Sequence, residues 1–200
     1  THDENLKQSL LSLRQTTLSL KENASHIHLI IDTLHKLQKG DTDTIGALDI
    51  KSFFKDVVPL LNIEISPQLQ EDVEIQSNIE KNLPPIKANP VLLKQVFVNL
   101  YKNACEAMIN SPQKLIKIEA KIDPTDNNFV LVEFSDTGPG IPEHILPNLF
   151  NQGVTTKGQK GSGIGLNQAK TIIEKFGGSI SAENKKEGGA RFIIRLLISK

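Results

Sequence analysis

Residues 158–166 read Gly-Gln-Lys-Gly-Ser-Gly-Ile-Gly-Leu, and a helical pattern continues from Leu166 to Phe176. Backbone N–H groups of glycines that lead into a helix N-terminus form an anion site, which the helix dipole strengthens. The glycine spacing partly matches a dinucleotide-binding fingerprint, but no β-strand precedes it and no parallel βαβ unit follows. A P-loop is excluded because its Gly-Lys-Ser or Gly-Lys-Thr ending is missing at the required spacing. The stretch therefore predicts a phosphate-binding loop outside both of those folds.

The segments on either side of this loop predict an α+β domain. Apolar residues three and four apart indicate amphipathic helices, and apolar residues in period-two alternation indicate strands. The predicted helices are Leu48–Leu61, Pro90–Met108 and Leu166–Phe176. The predicted strands are Val73–Ile79, Leu115–Ile122, Phe129–Phe134, Ser179–Ala182 and Ala190–Ile198, with an extended piece at Leu83–Ala88. We expect a mostly antiparallel sheet with one face covered by the helices.

The N-terminal segment carries a different pattern. From Leu6 to about Leu37, apolar residues alternate at spacings of four and three, which is a heptad seam. No Pro or Gly interrupts it before Gly40, and a helix of this length would reach about 48 Å. A second apolar stripe favours a four-helix bundle, although one amphipathic helix packed on its own domain is the alternative. We expect residues 1–40 to form one domain and residues 41–200 another.

Composition limits the function classes. The 200 residues include 23 basic and 23 acidic side chains, and this zero net charge argues against nucleic acid as a partner. Cys105 is the single cysteine, so a disulfide framework within the chain is excluded, and we expect a small buried thiol in a reducing compartment. No apolar run reaches the roughly 18–20 residues of a membrane span. These features favour a domain that works in the cytoplasm.

Two further clusters could carry chemistry. Asn99 and Asn103 lie four residues apart in a predicted helix and therefore share one face. An amide oxygen can ligate Mg²⁺ and an amide NH₂ can bind a phosphate oxygen, although two ordinary hydrogen-bonded Asn residues fit equally well. Asp136-Thr-Gly138-Pro-Gly140 follows a predicted strand, where a carboxylate could accept a hydrogen bond from an exocyclic amine such as that of adenine. A tight turn is the alternative for this cluster.

Together the three clusters, in this order and spacing, resemble the GHKL ATPase superfamily and, within it, the sensor histidine kinases. Residues 99–104 resemble the N box, residues 136–140 the first glycine box, and residues 161–166 the second glycine box. Phe150 resembles the F box, and residues 188–192 resemble the closing strand motif. The resemblance covers most of the chain. It implies the Bergerat fold, a two-layer α/β sandwich with a mixed, mostly antiparallel sheet, preceded here by a long coiled-coil-like helix.

The resemblance also implies roles for individual residues. Asp136 would bind the adenine amine, and Asn103 would ligate Mg²⁺ with Asn99 near the phosphates. Residues 141–162 would form an ATP lid that Phe150 anchors. The nucleotide site would comprise Asn99, Lys102, Asn103, Asp136, Gly138, Gly140, Phe150, Thr155, Thr156, Lys157, Lys160, Gly161, Ser162, Gly163, Gly165 and Leu166.

Three positions depart from the family pattern. Ala190 stands where a Thr is common, which removes a hydroxyl near the base. Glu106 stands where some relatives carry a basic residue, and Lys102 or Lys157 could compensate. Asn89 stands where an Asp often precedes the N-box helix. None of the three excludes nucleotide binding.

The family's activity implies the cofactors and partners. A sensor histidine kinase uses ATP and Mg²⁺, forms a homodimer, and passes the γ-phosphate to a histidine and then to a response regulator receiver domain. His2-Asp-Glu-Asn lacks the Pro expected after a phosphoacceptor, and the heptad seam runs on without the break of a helical hairpin. We therefore expect the phosphoacceptor upstream of this chain, with residues 6–37 as the second dimerisation helix. A hairpin that turns near residues 23–25, with His2 as acceptor, is the alternative.

Two other functions stay open. A nucleotide-dependent switch without phosphotransfer and a serine kinase of the anti-sigma type would use the same nucleotide site. The heptad helix favours the histidine kinase, because the serine kinases need no such extension. We expect a cytoplasmic domain, and a full-length parent anchored in the inner membrane is compatible with it.

Overall fold

The computed structural model describes residues 44–64, 73–154 and 163–200, where helices pack on one face of a β-sheet. The helices are α1 (Ile50–Glu64), α2 (Pro90–Ala107) and α3 (Gly165–Lys175), with a short 3-10 helix at Leu146–Asn148. The strands are β1 (Gly46–Leu48), β2 (Glu74–Ile79), β3 (Ile86–Ala88), β4 (Leu115–Ile122), β5 (Phe129–Asp136), β6 (Ser179–Asn184) and β7 (Ala190–Leu197). The predicted α+β class is confirmed. The predicted helix at residues 6–37, and with it the domain 1–40, lies outside the described residues.

Five strands form the main sheet, in the order β2-β4-β5-β7-β6. Strand β2 runs parallel to β4, whereas the three other neighbouring pairs are antiparallel. Burial alternates strictly along β5 and β7, because one face of the sheet packs on the helices and the other meets solvent. Asp136, the last residue of β5, falls on the face that packs on the helices.

The start of α2 is fixed by its own sequence. The Asn89 Oδ1 atom accepts hydrogen bonds from Val91 N at 3.0 Å and Leu92 N at 3.1 Å, and Pro90 occupies the first helical position. The prediction of this helix from Asn89 is confirmed, and the helix ends one residue before the predicted Met108. Neither α2 nor any other helix in the described ranges is long and apolar enough to cross a membrane.

An aromatic cluster holds the helices on the sheet. Phe53 and Phe54 of α1 have ring centroids 5.3 Å apart, and Phe54 lies 4.8 Å from Phe97 of α2 in an edge-to-face contact. Phe97 in turn lies 6.4 Å from Phe134 of β5. Because this cluster ties α2 to β5, it fixes the helix that carries Asn99 relative to the strand that ends in Asp136.

The expectation for residues 45–50 was wrong in one respect. The first helix begins at Ile50 rather than Leu48, and Leu48 belongs to β1, where it pairs with Ile86 of β3. Gly46-Ala-Leu contains no β-branched residue, so the strand forms through its partner rather than through its own propensity. On its other side β3 bridges to the end of the chain, with Ile86 opposite Ile198.

The turn between β4 and β5 is organised by a buried carboxylate. Asp123 Oδ1 accepts hydrogen bonds from the backbone N of Thr125 at 2.8 Å and from its hydroxyl at 2.6 Å. Asp123 Oδ2 pairs with Nε of Arg195 at 2.5 Å. The Thr125 hydrogen bonds, followed by the Arg195 charge, lower the pKa of Asp123 to about 2. This turn therefore joins three strands of the sheet through one ionised side chain.

Candidate nucleotide site

Asp136 presents one carboxylate oxygen to the protein and the other to solvent. The side chain is only 3% exposed, and Oδ1 accepts hydrogen bonds from Gly138 N at 2.8 Å and Ala190 N at 3.2 Å. Oδ2 has no partner in the described part of the chain, and no buried side-chain nitrogen or oxygen there lacks one, so Oδ2 must be accessible. The arrangement offers a fixed acceptor to a ligand's N–H group.

Burial opposes the charge that this acceptor needs. Removal from water raises the pKa of the Asp136 carboxyl, because burial disfavours the charged form. The N–H groups of Gly138 and Ala190 and the positive charge of Lys185 act in the opposite direction and favour the carboxylate. Ala190, which stands where relatives commonly carry Thr, has no side-chain hydroxyl. Its backbone N–H is the group on β7 that donates a hydrogen bond to Asp136.

Asn184, which the sequence reasoning missed, fixes the chain after the first glycine box. Its Oδ1 accepts from Ile141 N and its Nδ2 donates to Ile141 O, both at 2.7 Å. A Cβ atom on Gly140 would lie 2.7 Å from the same Oδ1, so only glycine leaves room for this clamp. An Asn at the end of a strand was the available signal, since Asn is a poor strand former.

Thr137 holds the other side of the same loop. Its hydroxyl donates to Gln113 O at 2.7 Å and accepts from Leu115 N at 3.0 Å, which ties the loop to the start of β4. Asp136 is thus followed by a loop anchored on both sides. Such anchoring keeps a binding group in place before the ligand arrives.

The first and third sequence clusters meet where the middle of α2 contacts the start of α3. Asn99 Nδ2 donates to Gly165 O at 3.1 Å, which joins the N-box helix to the first residue of α3. Asn103 lies one turn further along α2, half-buried, and Lys102 beside it is also half-buried. Leu166, in the first turn of α3, packs against the core. In the described part of the chain no side chain caps the α3 N-terminus, and the first N–H groups of an uncapped helix can bind an anion.

Phe150, the residue that resembles the F box, is held by the elements around it. Its ring packs edge-to-face on Phe192 of β7, with centroids 6.5 Å apart at 82°. Its backbone oxygen accepts a hydrogen bond from Nδ2 of Asn167, a residue of α3 that the sequence reasoning did not single out. The stretch around Phe150 is therefore attached both to the sheet and to the helix that begins at the glycine cluster.

Gly163 has a steric role of its own. It adopts a φ of 62°, and its carbonyl accepts a hydrogen bond from Gly153 N at 3.2 Å. A Cβ atom on Gly163 would lie 2.5 Å from the carbonyl carbon of Gly153. Any larger residue would therefore push the segment at Gly163 away from the segment at Gly153. The remaining predicted site residues of this region lie outside the described residues; they are Thr155, Thr156, Lys157, Lys160, Gly161 and Ser162.

The donors that remain suit a magnesium ion brought by a nucleotide. In the described part of the chain no group of three His, Cys, Asp or Glu side chains could hold a metal. Mg²⁺ usually keeps several waters and is bound through one or two protein oxygens together with phosphates. Asn99 donates a hydrogen bond from Nδ2 to Gly165 O. Its Oδ1 atom, on the same helix face as Asn103, can still act as a metal ligand. Amide oxygens in this place fit that coordination habit.

Cys105 is a buried thiol, as predicted. It is 2% exposed, and burial raises its pKa to about 11, so it is neutral at physiological pH. Burial likewise raises the pKa of its neighbour Tyr101 well above the usual range. Neither group supplies a nucleophile to the site, and both fill the space between α2 and the sheet.

Comparison with known proteins agrees with this geometry. A family model described as "Histidine kinase-, DNA gyrase B-, and HSP90-like ATPase" matches residues 88–200. The sensor protein FixL of Bradyrhizobium diazoefficiens is 36% identical over 62% of this chain and 24% of FixL. The C4-dicarboxylate transport sensor protein DctS of Rhodobacter capsulatus is 30% identical over 94% of this chain and 28% of DctS. The solved catalytic domain of histidine kinase ThkA is 26% identical, with a TM-score of 0.64 over 78% of this chain and 99% of that domain. The chain spans about a quarter of the length of the two sensor proteins.

Proposed function

The chain belongs to the histidine kinase-, DNA gyrase B- and HSP90-like ATPase family, and from that membership we propose that it is the catalytic module of a two-component sensor histidine kinase. In this function the module binds ATP and presents the γ-phosphate to a histidine, from which it passes to an aspartate of a response regulator receiver domain. The likeness to the ThkA catalytic domain supports the kinase branch and confirms the predicted two-layer fold.

The accessible Oδ2 atom of Asp136 is the observation that carries the proposal. The exocyclic amine of adenine donates to this atom, while Oδ1 stays bound to Gly138 N and Ala190 N. A carboxylate only accepts hydrogen bonds, so it favours a base that presents an N–H group at this position. Asn184 and Thr137 keep the loop around the base in place through contacts that need no nucleotide.

The phosphates lie at the other end of the site. The uncapped N-terminus of α3 offers backbone N–H groups and its dipole to the phosphate oxygens. Asn103 would ligate Mg²⁺, with Asn99 near the phosphates, and the ion would neutralise charge on the transferred phosphoryl group. Thr155, Thr156, Lys157, Lys160, Gly161 and Ser162 complete the phosphate end in this proposal. The chain's contribution to rate is then chiefly the positioning of the γ-phosphate.

The acceptor and the partners extend the proposal beyond the described residues. Residues 1–40 form the second dimerisation helix, the phosphoacceptor histidine lies upstream, and the full-length protein is a homodimer. The domain works in the cytoplasm, and its parent is anchored in the inner membrane. The similarity to DctS covers 94% of this chain and so includes the N-terminal segment, which supports the view that this segment and the nucleotide domain belong to one kind of sensor protein.

Phosphate transfer from γ-labelled Mg·ATP tests this function. We expect residues 1–200 to bind Mg·ATP in calorimetry without becoming labelled, and the chain extended upstream in its parent to acquire acid-labile, alkali-stable label. Acid-labile, alkali-stable label on residues 1–200 would show that the phosphoacceptor histidine lies within this chain. Acid-stable, alkali-labile label would indicate a serine kinase instead. An extended chain that binds ATP but never becomes labelled would leave the nucleotide-dependent switch as the function.

A further inference from the structure

Asn167 links the start of α3 to the stretch of chain that contains Phe150. Its Nδ2 atom donates a hydrogen bond of 2.9 Å to the backbone oxygen of Phe150, 17 residues earlier in the sequence. Asn167 is the third residue of α3, and the N–H groups in the first turn of a helix have no partner within that helix. One residue therefore has its side chain on the Phe150 stretch and its backbone in the turn that receives the phosphates in the proposed function.

The Phe150 segment, which we define as residues 149–154, is also attached to the sheet. The Phe150 ring packs edge-to-face on Phe192 of β7. Phe192 lies two residues after Ala190 on the same buried face of the strand, and the N–H group of Ala190 donates to Asp136. The ring contact therefore connects the segment to the base end of the site, and it does not involve α3.

Two hydrogen bonds connect the Phe150 segment to the start of α3. Besides the bond from Asn167, Gly153 N donates to Gly163 O at 3.2 Å, two residues before the helix begins. Gly153 is exposed, so water competes for its bond, whereas the bond from Asn167 is shorter and partly buried. Asn167 therefore makes the stronger of the two connections.

The start of α3 is held through carbonyl oxygens. Gly163 O accepts from Gly153 N, and Gly165 O accepts from Asn99 Nδ2 at 3.1 Å. Both bonds leave the N–H groups of the first helical turn to a ligand, and both fix the chain that carries those groups. A loose Phe150 segment would release the first of these bonds and with it the position of Gly163.

We propose that Asn167 is a positioning residue that fixes the Phe150 segment against α3 and thereby keeps the phosphate end of the nucleotide site in its binding arrangement. This inference rests on the proposed function. Without the bond from Asn167, a bound nucleotide must itself order the segment, and that ordering lowers the affinity. The base end keeps its own contacts around Asp136, so a ligand that lacks phosphates does not depend on Asn167.

The expected effect is that of one neutral hydrogen bond, which changes an equilibrium constant by about two- to tenfold. We expect Asn167→Ala to bind Mg·ADP about two- to tenfold more weakly than wild type and to bind adenosine as wild type does. The loss stays within this range because the Leu149 side chain remains in the core and the Phe150 ring remains on Phe192.

Calorimetric titration with Mg·ADP and NMR titration with adenosine measure the two affinities. Asn184→Ala shows that the adenosine titration responds to a change at the base end, because it loosens the loop after Gly140 and should weaken both ligands. Unchanged affinity of Asn167→Ala for Mg·ADP would overturn the proposal. Equal losses for Mg·ADP and adenosine would overturn it too, because they would show a general weakening of the fold rather than a role at the phosphate end.

Two further variants separate the hydrogen bond from packing. Asn167→Leu keeps the approximate volume of the side chain without the donor, and it should bind Mg·ADP as weakly as Asn167→Ala does. Recovery of the wild-type affinity in Asn167→Leu would overturn the proposal, because filled space alone would then be sufficient. Gln168→Ala is the matched control and should follow wild type, since the side chain at this next position of α3 makes no hydrogen bond within the described residues.

A second measurement needs no nucleotide. The NMR order parameter of the Gly153 amide should be lower in Asn167→Ala and Asn167→Leu than in wild type and Gln168→Ala. The order parameter of Ile172, which is buried in α3, should not change. Equal order parameters at Gly153 in all four proteins would refute the role of Asn167 even if Mg·ADP binds. If wild type binds neither Mg·ADP nor adenosine, the proposed function fails, while the order parameter still decides whether Asn167 positions the segment.

Discussion

Replacement of Asp136 by Asn should separate nucleotide affinity from stability. The amide oxygen of Asn can still accept from Gly138 N and Ala190 N, so the loop keeps its internal hydrogen bonds. The accessible Oδ2, however, becomes an NH₂ group that faces the adenine amine donor to donor. The site loses its acceptor without loss of volume, and the change therefore probes the chemistry rather than the packing.

The magnitude follows from the kind of bond that is removed. A hydrogen bond to a charged group contributes about 1.5–3 kcal/mol, which corresponds to about 10- to 150-fold weaker ATP binding.

The free energy of unfolding of the nucleotide-free protein should increase on the same replacement. Because the folded pKa of Asp136 is raised, the folded state binds more protons than the unfolded state between about pH 3.9 and the folded pKa. Wild-type stability therefore falls as the pH rises through that window, and Asn, which does not titrate, avoids the loss.

Calorimetry with Mg·ATP and urea denaturation at neutral pH check the two halves of this prediction. Asp56→Asn on the exposed face of α1 is the matched control, and it should change neither quantity. Unchanged ATP affinity in Asp136→Asn would refute the assignment of Asp136 to the base. A folded Asp136→Asn protein that is clearly less stable than wild type at neutral pH would refute the argument that burial of the charge is unfavourable.

Three further predictions concern the neighbourhood of the site and the sheet. Asn184→Ala removes two hydrogen bonds of 2.7 Å and should lower the free energy of unfolding by about 1–3 kcal/mol in urea denaturation, with weaker ATP binding. Cys105 should not react with a thiol reagent at pH 8 in the native protein and should react rapidly in denaturant; equal rates would contradict its burial. The hydrogen bonds from Thr125 and the charge of Arg195 lower the pKa of Asp123 to about 2, so the stability they provide is complete above about pH 4 and is lost as the pH falls towards 2. Urea denaturation should show wild type more stable than Asp123→Asn at pH 6, with the difference shrinking below pH 4.

The elements that sequence reasoning predicted are those whose determinants are local. Asn89 and Pro90 start α2 within a few residues of each other, and period-two alternation marks β5 and β7 along their own length. The hydrogen bond between Asn99 and Gly165 joins the first and third clusters, although 66 residues separate them. The motif order indicated this convergence, whereas the bond itself appears only in the structure.

The features that were missed depend on partners distant in the chain. Strand β1 exists because β3 lies beside it, and no property of Gly46-Ala-Leu indicates that partner. Asn184 clamps Ile141 across 43 residues, and Asn167 reaches Phe150 across 17. A side chain that bonds a remote backbone group leaves no periodic signal in the sequence. The heptad prediction and the phosphate-facing residues 155–162 stay predictions.

The bridge between Ile86 and Ile198 has a consequence for how the domain can be rearranged. Strand β1 and the end of the chain flank β3 on opposite sides, and neighbouring strands are about 4.8 Å apart. Ile45 and Ser199 are therefore separated by about 10 Å across β3 and by only a few residues along the strand direction. A short glycine-rich connection could join Ser199 to Ile45, and new termini could open at the turn that contains Asn82. Such a circular permutant would keep every element around Asp136 while releasing the nucleotide domain from whatever precedes it.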